Sequence, residues 1–507
     1  MEFYVGNLEG QIAHLRQSLG HFGPELFLCG WILVQLLTSV IPVIRKNPYV
    51  PTILSGIGIL ITATLVGDQF NTLKYVLQFD WFMGMIRVDG LTLIFKLFAI
   101  LSAFGIWLMT LSKNKQFEWG SEFYFFLSVG LLGMLLLSGA VNLLMIFLCL
   151  EIISLISYLL TAYFKKPKVG AEAAVKYFIY GSVSSAIQLY GISLLYGISG
   201  TLEINDPGFI QGLVSDHGYL AIIAILFWGV GLAFKLVAVP FHFWSPDVYA
   251  GVPATIASFL ANGPKLIALV IVIRFSHLFY GTPLQSGFQL LIACVAILSM
   301  FWGNLGALRQ HKLKRLLAYS GIAHTGYWLS LIACQQPEAE TALIWYGFIY
   351  LLASSGAFIA LSRLEYFTNT DEIRLWTGIG KTYPWTSASL VICLAALGGL
   401  PPTAGFFAKI NLLIPLFQQW QNQSEAIWLA LLLSALFNTL LALYYYLSPA
   451  RGLFLKSEPT TLNSTLTFEY LPPVWLMPLA LIILGIVPLT EALKWMSTIL
   501  QIGVVAH

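Results

Sequence analysis

Long apolar runs separated by short polar segments make up most of the chain. A helix of roughly 17–25 predominantly apolar residues is long enough to cross the hydrocarbon core of a bilayer. Runs of this kind recur about fourteen times and predict an all-α integral membrane protein with about 14 transmembrane helices. The predicted spans are residues 24–43, 51–67, 89–111, 121–139, 142–163, 173–199, 217–249, 253–279, 286–307, 313–334, 341–362, 384–416, 424–447 and 473–494.

Two of the apolar runs are too long for one straight helix, and each contains proline. Pro240 interrupts residues 217–249, and Pro401 and Pro402 interrupt residues 384–416. Because proline lacks a backbone N–H group and its ring clashes with the preceding turn, both segments are predicted to be discontinuous helices.

The order of the spans predicts an internal symmetry. Spans four to eight and spans nine to thirteen form two inverted five-helix repeats, which begin on opposite sides of the membrane, and the broken helix is the fourth member of each. Paired interrupted helices in inverted halves indicate a transport site near the membrane midplane. The alternative, that proline is simply common in membrane helices, does not explain why a lysine lies near both breaks. The predicted domains are an N-terminal three-helix segment (1–120), a first repeat (121–280), a second, inverted repeat (281–448) and a C-terminal span (449–507).

The composition changes this picture little but excludes several classes of protein. Only 10% of the residues are charged and 58% are hydrophobic, whereas soluble chains carry about 25% charged residues. Lipid is therefore expected to surround much of the chain. The net charge of +3 gives no reason to expect a nucleic-acid partner. Residues 1–20 lack a basic stretch followed by an apolar core, so the first span is expected to serve as the targeting signal.

The basic residues of the loops alternate between the two sides of the predicted membrane. Loops after even-numbered spans contain only Lys74 and Arg87 and are otherwise acidic. Loops with an excess of lysine and arginine stay in the cytoplasm, so both termini are predicted to lie outside. The basic residues that follow odd-numbered spans are Arg45, Lys46, Lys113, Lys115, Lys165, Lys166, Lys168, Arg309, Lys312, Lys314, Arg315, Arg363, Arg374, Lys381, Arg451 and Lys456.

The motifs of redox and nucleotide-binding proteins are missing from the sequence. The five cysteines stand singly in apolar stretches, without a C-x-x-C pair, and no two histidines lie three or four residues apart. The run from Gly378 to Thr382 suggests a phosphate-binding loop, but Leu375 stands where its first glycine belongs. We therefore expect no iron–sulfur cluster, zinc, haem or nucleotide site, and no metal or cofactor, in this chain.

Four ionisable residues lie deep inside apolar runs: Glu151, Lys235, Lys265 and Lys409. Each costs about 2.5–3.5 kcal/mol to place at the bilayer centre. Because burial disfavours the charged form and an opposite neighbour restores it, a buried glutamate–lysine pair can be switched by separating its members. Lysine suits proton release in a way that arginine does not. These residues are predicted to carry protons across the bilayer; structural ion pairs between helices are the alternative.

Other polar residues have two interpretations each. Lys96 and Arg274 either snorkel toward the membrane surface or bind neighbouring side chains. His324 lies in mid-span near hydroxyl groups, and either shuttles protons or packs as a satisfied core residue. Glu172 and Lys176 lie four residues apart, so they form a local helix ion pair or belong to a proton-uptake site. Asp247, at the predicted cytoplasmic end of span seven, lines an entrance or caps a helix, and capping is the favoured interpretation.

Three stretches of mixed polar and apolar residues resemble the motifs of a known protein family. They are residues 234–249 (FKLVAVPFHFWSPDVY), 308–327 (LRQHKLKRLLAYSGIAHTGY) and 399–409 (GLPPTAGFFAK). On these motifs the chain resembles the antiporter-like membrane subunits of respiratory complex I, the NADH–quinone oxidoreductase. The resemblance covers nearly the whole chain and is weakest in roughly the first eighty residues.

Within that family the chain is most similar to the branch of subunit N. The chain ends soon after span fourteen, without the long lateral helix of subunit L. Lys409 stands where subunit M has glutamate. The double proline before Thr403 is also similar to subunit N. Ile256 departs from the family, where relatives usually have a second proline, and this leaves the path of the loop before span eight open.

The resemblance implies a role for each buried residue. Glu151 and Lys235 are expected to form the switching pair, Lys265 the central relay and Lys409 the exit-side lysine. His324 is expected to relay protons between Lys265 and Lys409. Quinone reduction elsewhere in the complex would drive the transfer, so the oxidoreductase activity belongs to the assembly. FMN, iron–sulfur clusters and quinone are expected in other subunits.

The resemblance also implies partners and a location. Subunit M and the small K-, J- and A-type subunits are the expected neighbours, in a bacterial inner membrane, with a thylakoid membrane as the alternative. Two other functions remain open. A subunit of a multisubunit sodium/proton antiporter, or of a related membrane-bound hydrogenase, would share these motifs. A passive scaffold would leave four buried ionisable groups unexplained.

Overall fold

Apolar helices make up nearly all of the structure, as the hydrophobic pattern predicts. The computed structural model describes residues 8–41, 49–73, 79–111, 119–163, 168–214, 218–455 and 472–486. The first half contains α1 (Leu8–His21), α2 (Gly23–Val40), α3 (Tyr49–Leu73), strands β1 (Phe79–Trp81) and β2 (Ile86–Val88), α4 (Gly90–Thr110), α5 (Ser121–Gly139), α6 (Leu143–Thr161), α7 (Lys168–Ser199), α8 (Pro207–Val214), α9 (Gly218–Leu236), α10 (Trp244–Gly251) and α11 (Ala254–His277). The second half contains α12 (Gln285–Leu308), α13 (Leu313–Cys334), α14 (Pro337–Thr368), a 3₁₀ turn (Ile373–Trp376), α15 (Ile379–Thr382), α16 (Pro384–Gly398), α17 (Ala404–Gln423), α18 (Ala426–Leu455) and α19 (Pro472–Ile486).

Every predicted span coincides with a helix or with a broken pair of helices. Within the described residues, 11 helices are long and apolar enough to cross a membrane. The other predicted spans correspond to α13, which carries three basic or histidine side chains, to the broken pair α16–α17, and to α19. The ends of three predicted spans, at residues 42–43, 217 and 487–494, lie outside the described residues.

Three elements were not predicted because they lie in segments without a long apolar run. They are the amphipathic helix α1, the short helix α8 and the antiparallel hairpin of β1 and β2, in which Phe79 pairs with Val88. The helix α14 is also longer than predicted. It continues to Thr368 and ends where Asn369 takes a left-handed conformation (φ 55°). The left-handed residue at the end of a helix satisfies its last carbonyl groups. Hydropathy does not indicate where such a cap lies, so it does not mark the end of the helix.

Both predicted breaks are present and lie at the predicted prolines. Helix α9 ends at Leu236, and α10 begins at Trp244 after an irregular segment that contains Pro240. Helix α16 ends at Gly398, and Gly399 follows with a φ of +82°, which glycine adopts without strain. The backbone carbonyls at the two breaks are therefore free to bind side chains from neighbouring helices.

Charged contacts distinguish two faces of the helix bundle. The face that we call the hairpin face holds β1 and β2, the end of α11 and the start of α14, which are joined by His277 and Glu340. The opposite face, which we call the basic face, holds Lys314, which pairs with Glu365 at 2.9 Å.

The two broken helices run in opposite directions between these faces. Asp247 on α10 pairs with Arg315 at the start of α13, so the first broken helix ends at the basic face. Gln419 near the end of α17 hydrogen-bonds Gln336 just before α14, so the second ends at the hairpin face. This antiparallel arrangement is what an inverted repeat requires. The exact domain boundaries remain predictions.

Small residues bring α12 and α13 into close contact. A Cβ atom on Gly303 would collide with the backbone of Ala323, and one on Gly326 would lie 2.6 Å from the carbonyl oxygen of Ala296. Membrane helices approach this closely only where side chains are small. The close contact fixes the position of α13, the helix that carries His324 and Thr325.

A buried polar axis as the candidate functional site

The predicted lysines and histidine lie in the interior of the bundle, on or beside the broken helices. Lys235 is the penultimate residue of α9, Lys265 lies on α11, His324 on α13 and Lys409 on α17. All four are between 1% and 6% exposed. We call these residues, together with Glu151 and the polar groups between them, the polar axis.

At one end of the axis, Glu151 and Lys235 are neighbours without forming a direct ion pair. The hydroxyl of Ser185 on α7 donates a hydrogen bond to Glu151 Oε1. Lys235 Nζ has no hydrogen-bond partner within the described part of the chain, although the Glu151 carboxylate acts on it electrostatically. An unpaired buried ammonium group is costly, so this is the least satisfied position of the axis.

Gln188 is a residue of the axis that sequence reasoning missed. It lies three residues after Ser185 on the same face of α7, and a Cβ atom on Gly231 would collide with its side chain. Gln188 is therefore packed against α9 one turn before Lys235. Its Nε2 has no partner among the described residues. Ser185 and Gln188 thus form a polar strip on α7, with Ser185 bonded to Glu151 and Gln188 packed against α9.

Thr325 connects the first break with the centre of the axis. Its hydroxyl donates to the carbonyl oxygen of Leu236, the last residue of α9, at 2.6 Å. The same hydroxyl lies 3.2 Å from the carbonyl oxygen of Gly321, which accepts a hydrogen bond from Lys265 Nζ. Since the hydroxyl has one proton and two lone pairs, it can pair with one carbonyl at a time.

Lys265 occupies a site lined by a carbonyl and two aromatic rings. Besides the carbonyl of Gly321, Nζ lies 5.3 Å from the ring centroid of Trp328 and 5.9 Å from that of Tyr350. Aromatic faces stabilise an ammonium group at such distances. A side chain on Gly321 would come within 3.1 Å of Nζ, so glycine leaves the carbonyl accessible.

His324 lies between two tyrosine hydroxyls. Its Nδ1 is 2.8 Å from the Tyr346 hydroxyl, and its Nε2 is 3.1 Å from the Tyr446 hydroxyl. Because each hydroxyl can donate or accept, both ring nitrogens have a partner in either tautomer. Both ring nitrogens are therefore satisfied, as a proton relay requires and as a packed core histidine also requires, and the relay role stays a prediction.

Lys409 lies at the second break. Its Nζ donates to the carbonyl oxygen of Gly398, the last residue of α16, at 2.9 Å, and is 5.6 Å from the ring centroid of Tyr327. The carbonyl end of a helix carries a partial negative charge that favours a cation. The lysines on α11 and α17 are thus each held by a backbone carbonyl, one on α13 and one at the end of α16.

The secondary residues of the prediction lie together at the basic face. Lys176 pairs with Glu172 at 2.7 Å and with Asp247 at 3.1 Å. The predicted i,i+4 pair is therefore present. The interpretation of Asp247 as a helix cap is wrong, because its carboxylate joins Lys176 of α7 to Arg315 of α13. Sequence reasoning missed the role of Arg315 because the two residues are 68 positions apart.

Three other buried polar sites lie outside the polar axis; the sequence predicts for Lys96 and Arg274 only that they snorkel or bind neighbours, and both bind neighbours. His242, in the first break, is buried and packs against the rings of Phe243 and Trp302. Lys96 pairs with Glu25 at 2.5 Å, and Arg274 binds both oxygens of Asp89. No sequence signal marks these pairs, because each joins helices that are far apart along the chain.

The ion pair of Asp89 and Arg274 lies at the hairpin face, where α4 begins. Burial raises the pKa of Asp89, but the charge of Arg274 and hydrogen bonds from Arg274 and Thr92 outweigh that effect and lower the pKa below its ordinary value. Asp89 also caps α4, because its side chain accepts from the backbone N–H of Thr92. Across the residues that the structure describes, no three histidine, cysteine or acidic side chains group as a metal site.

Comparisons with known proteins agree on one family. The family profile described as "NADH:quinone oxidoreductase/Mrp antiporter, TM" matches residues 140–438. The chain is 33% identical over 471 residues to NADH-quinone oxidoreductase subunit N 2 of Chloroherpeton thalassium, covering 90% of this chain and 89% of the relative. It is 36% identical over 448 residues to NAD(P)H-quinone oxidoreductase subunit 2 of Gloeobacter violaceus, covering 87% and 83%.

Solved structures show the same likeness. A chain of respiratory complex I from Thermus thermophilus has a TM-score of 0.74 and 29% identity, covering 95% of this chain and 99% of that one. A chain of the Mrp complex from Dietzia has a TM-score of 0.80 at 19% identity, covering 95% and 97%. The second likeness concerns the fold alone.

Proposed function

The chain belongs to the NADH:quinone oxidoreductase/Mrp antiporter family of membrane subunits, in the group of subunit N, and we propose that its polar axis carries protons across the membrane. The observation that carries the proposal is a series of ionisable groups, all buried except the half-buried Glu151, that runs between the two helix breaks. Glu151, Lys235, Lys265, His324 and Lys409 each lie within reach of a hydroxyl, a free carbonyl or another member of the series. Groups of this kind are retained inside a membrane when they form a proton path.

The transfer follows the order of these groups through the bundle. The Lys235 ammonium group has no hydrogen-bond partner within the described residues, and its charge is stabilised by the Glu151 carboxylate and by the ring of Phe234, 5.8 Å away. When the charge of the Glu151 carboxylate no longer stabilises the ammonium group of Lys235, the proton moves toward Lys265 past Thr325. From there it passes His324 and its two tyrosine hydroxyls to Lys409. Each step moves one proton and no electrons, so this chain needs no redox centre of its own for it.

The oxidoreductase activity belongs to the whole assembly. By membership in this family, the chain acts as a proton-translocating subunit of a complex I-type quinone oxidoreductase, whose FMN, iron–sulfur clusters and quinone lie in other subunits. Quinone reduction there changes the electric field at Glu151 and starts the transfer. Subunit M and the small K-, J- and A-type subunits are its neighbours within the membrane.

The distribution of charge supports an orientation. Basic side chains such as Lys312, Arg374 and Lys381 are exposed at the basic face, and basic loops stay in the cytoplasm. We assign the basic face to the cytoplasm and both termini to the outside, in a bacterial inner membrane or a thylakoid membrane. The three-helix segment (1–120), the two repeats (121–280 and 281–448) and the final span (449–507) are the proposed domains.

A subunit of a sodium/proton antiporter is the second candidate. The fold of the Mrp complex favours it, and so does the family profile, which includes both kinds of protein. The relatives that are at least 30% identical over most of the chain carry oxidoreductase names. Replacing sodium by potassium in a reconstituted complex discriminates the two, since proton transport by the oxidoreductase continues without sodium.

The central test concerns Lys235 in the intact complex. We expect Lys235→Ala to lower quinone-coupled proton uptake into proteoliposomes at least about tenfold, because the barrier rises when a relay group is lost. Lys235→Arg should also impair transport, since arginine does not release its proton. Lys381→Ala, at the exposed basic face, is the matched control. A wild-type ratio of protons to electrons in Lys235→Ala would rule out the proposal.

Glu151 supplies an independent test of the same proposal. Glu151→Gln removes the carboxylate charge that acts on Lys235 and keeps the hydrogen bond from Ser185. We expect this variant to assemble and to transport protons slowly, whereas Glu151→Asp retains part of the activity. If Glu151→Gln transports at the wild-type rate at every pH, Glu151 has only a structural role.

A further inference from the structure

A second buried ion pair lies outside the polar axis, in the first helices of the chain. Lys96 on α4 and Glu25 on α2 are 2.5 Å apart, and both side chains are 1% exposed. Removing two charges from water costs several kcal/mol per ion, and the attraction between them offsets that cost only when their remaining hydrogen-bonding capacity is also filled. The proposed transport mechanism does not use this pair.

The hydrogen bonding of the pair is incomplete. Lys96 Nζ also donates to Gln69 Oε1 at 3.0 Å and lies 5.8 Å from the ring of Trp81. Glu25 Oε2, however, has no hydrogen-bond partner within the described residues. A buried carboxylate oxygen without a partner is a position where ordered water is expected.

A cavity of about 200 Å³ lies beside the residues that contact the pair, at the hairpin face. Its inner wall includes Pro24, which precedes Glu25, together with Gln69 and Trp81, both of which contact Lys96. Its mouth is formed by His21 and Asp68, both exposed. Since water occupies about 30 Å³ in the liquid, the volume is enough for several molecules.

Gln69 links the mouth of this cavity to the pair. Its Nε2 donates to the carbonyl oxygen of His21 at 3.1 Å, while its Oε1 accepts from Lys96. His21 in turn stacks on Trp81 with the rings nearly parallel. Only one layer of side chains therefore separates the buried ammonium group from a space that is open to the aqueous phase.

We propose that this cavity is a water-filled vestibule through which the Glu25–Lys96 pair exchanges protons with the aqueous phase at the hairpin face. A hydronium ion in the vestibule becomes water as its proton passes, through the ordered water expected beside Glu25 Oε2, to the Glu25 carboxylate, and Lys96 keeps its charge. The reverse step returns the proton to the same phase. The pair is thus a second protonatable site, in the N-terminal helices and apart from the polar axis.

Few other titratable groups surround the pair. Among the described residues these are His21 at the end of α1, Asp68 on α3 and Cys29 one turn further along α2. A measured titration can therefore be assigned by substituting Glu25 and each of these three separately.

The first experiment asks whether water reaches the vestibule. Hydroxyl radicals generated from water by X-rays oxidise side chains that have water beside them. In the intact complex, Trp81 (4% exposed) should be oxidised at least about fivefold faster than Trp376 (0% exposed), because water lies next to Trp81 alone. Equal rates would mean that the cavity is dry and would overturn the proposal.

A filling variant tests the route itself. Leu65→Phe places a larger side chain in the cavity wall and should bring the oxidation rate of Trp81 down to that of Trp376. If the oxidation rate of Trp81 is unchanged in an assembled complex, water reaches Trp81 by a route other than the cavity, and the proposal is wrong. If Leu65→Phe does not assemble, the comparison of Trp81 with Trp376 in the wild type decides.

The second experiment asks whether Glu25 takes up the proton. Infrared difference spectra of the complex after a pH drop should show a protonated-carboxyl band that shifts in D₂O within seconds. Glu25→Gln should remove this band, whereas Asp68→Asn and Cys29→Ser should leave it. A spectrum that is unchanged by Glu25→Gln would show a static ion pair and refute proton exchange, without bearing on Lys235 and the polar axis.

Discussion

The hydroxyl of Thr325 on α13 donates to the carbonyl oxygen of Leu236 on α9 over 2.6 Å. The acceptor belongs to the last residue before the first helix break, and the donor comes from the other half of the chain. A carbonyl at the end of a helix has no partner within the helix, and inside a membrane water does not readily replace one. One side chain thus fixes the end of α9 next to Lys235.

Thr325 can be tested with two substitutions of similar size. Thr325→Val keeps the shape and removes the hydroxyl, which leaves the Leu236 carbonyl without its partner at a cost of about 1–3 kcal/mol. We expect proton transport by the complex to fall several-fold, because the position of Lys235 relative to Lys265 is no longer fixed. The measurement is proton uptake into proteoliposomes at a matched rate of quinone reduction.

Thr325→Ser is the control for that prediction. Serine keeps the hydroxyl and should retain most of the transport. Equal losses in Thr325→Val and Thr325→Ser would point to the missing methyl group and to packing, not to the hydrogen bond with Leu236.

The tyrosines beside His324 lead to a second prediction. Tyr446→Phe removes the hydroxyl at Nε2, and Tyr346→Phe the one at Nδ1. A relay needs a path on each side of the ring, so each single variant should slow transport. The double variant should then be little slower than the worse single variant, because one interruption is enough.

A structural role for His324 gives a different outcome in the same series. If the hydroxyls only satisfy a packed ring, the losses appear in the thermal stability of the complex, and transport per assembled complex is unchanged. Tyr319→Phe, on the same helix but partly exposed, is the matched control.

The hydrophobic pattern was sufficient to predict the spans and both breaks. Apolar length and proline position are local properties, and they determine where a helix can cross a membrane and where it must stop. The buried positions of Lys235, Lys265 and Lys409 followed for the same reason. A lysine in the middle of an apolar run has no aqueous surface to reach.

The contacts of those residues could not be predicted, because they depend on which helices are adjacent. Gln188, Thr325 and Tyr446 carry ordinary polar groups for a membrane helix, and nothing in their local sequence distinguishes them. For Lys96, a bound neighbour was one of the two interpretations, but its partner Glu25 was missed for a related reason. Glu25 lies near the start of its helix, and a carboxylate at that position is ordinarily exposed to water. Here tertiary packing buries it.

The ion pair of Asp89 and Arg274 leads to a third prediction, about stability. Asp89→Asn keeps a capping side chain on α4 but leaves Arg274 buried without its counter-charge, at a cost of about 3–5 kcal/mol. We expect a lower temperature of thermal aggregation for the complex. Asp80→Asn is the control, because its partner Arg87 belongs to an exposed pair on the hairpin that contributes at most about 1 kcal/mol.

The pH dependence of this pair has a definite sign. Because the pKa of Asp89 is held below its ordinary value, its stabilising effect is complete above the unfolded pKa of about 3.9. The effect is lost as the pH falls through the lower, folded pKa. The difference in stability between wild type and Asp89→Asn should therefore be constant from pH 5 to pH 8. A difference that changes over this range would assign the stabilisation to another group.

The orientation of the chain in the membrane is the last prediction, and the direction of proton transport depends on it. Basic side chains that the structure describes are exposed at one face, among them Lys312 and Arg374, whereas Glu338 is exposed at the other, at the start of α14. Several basic residues used in the sequence argument, such as Lys113 and Lys166, lie outside the described residues, so they need a direct test.

Single cysteines provide that test in cells that contain the assembled complex. Glu338→Cys should react with a membrane-impermeant thiol reagent added outside, and Lys312→Cys should react only after permeabilisation, because basic loops stay in the cytoplasm. Cys29 and Cys294 are exposed on the bundle surface, so the background chain should carry serine at both positions. Lys166→Cys should behave like Lys312→Cys. Labelling of Lys312→Cys from outside, with Glu338→Cys protected, would reverse the orientation and place the Lys409 end of the axis on the uptake side.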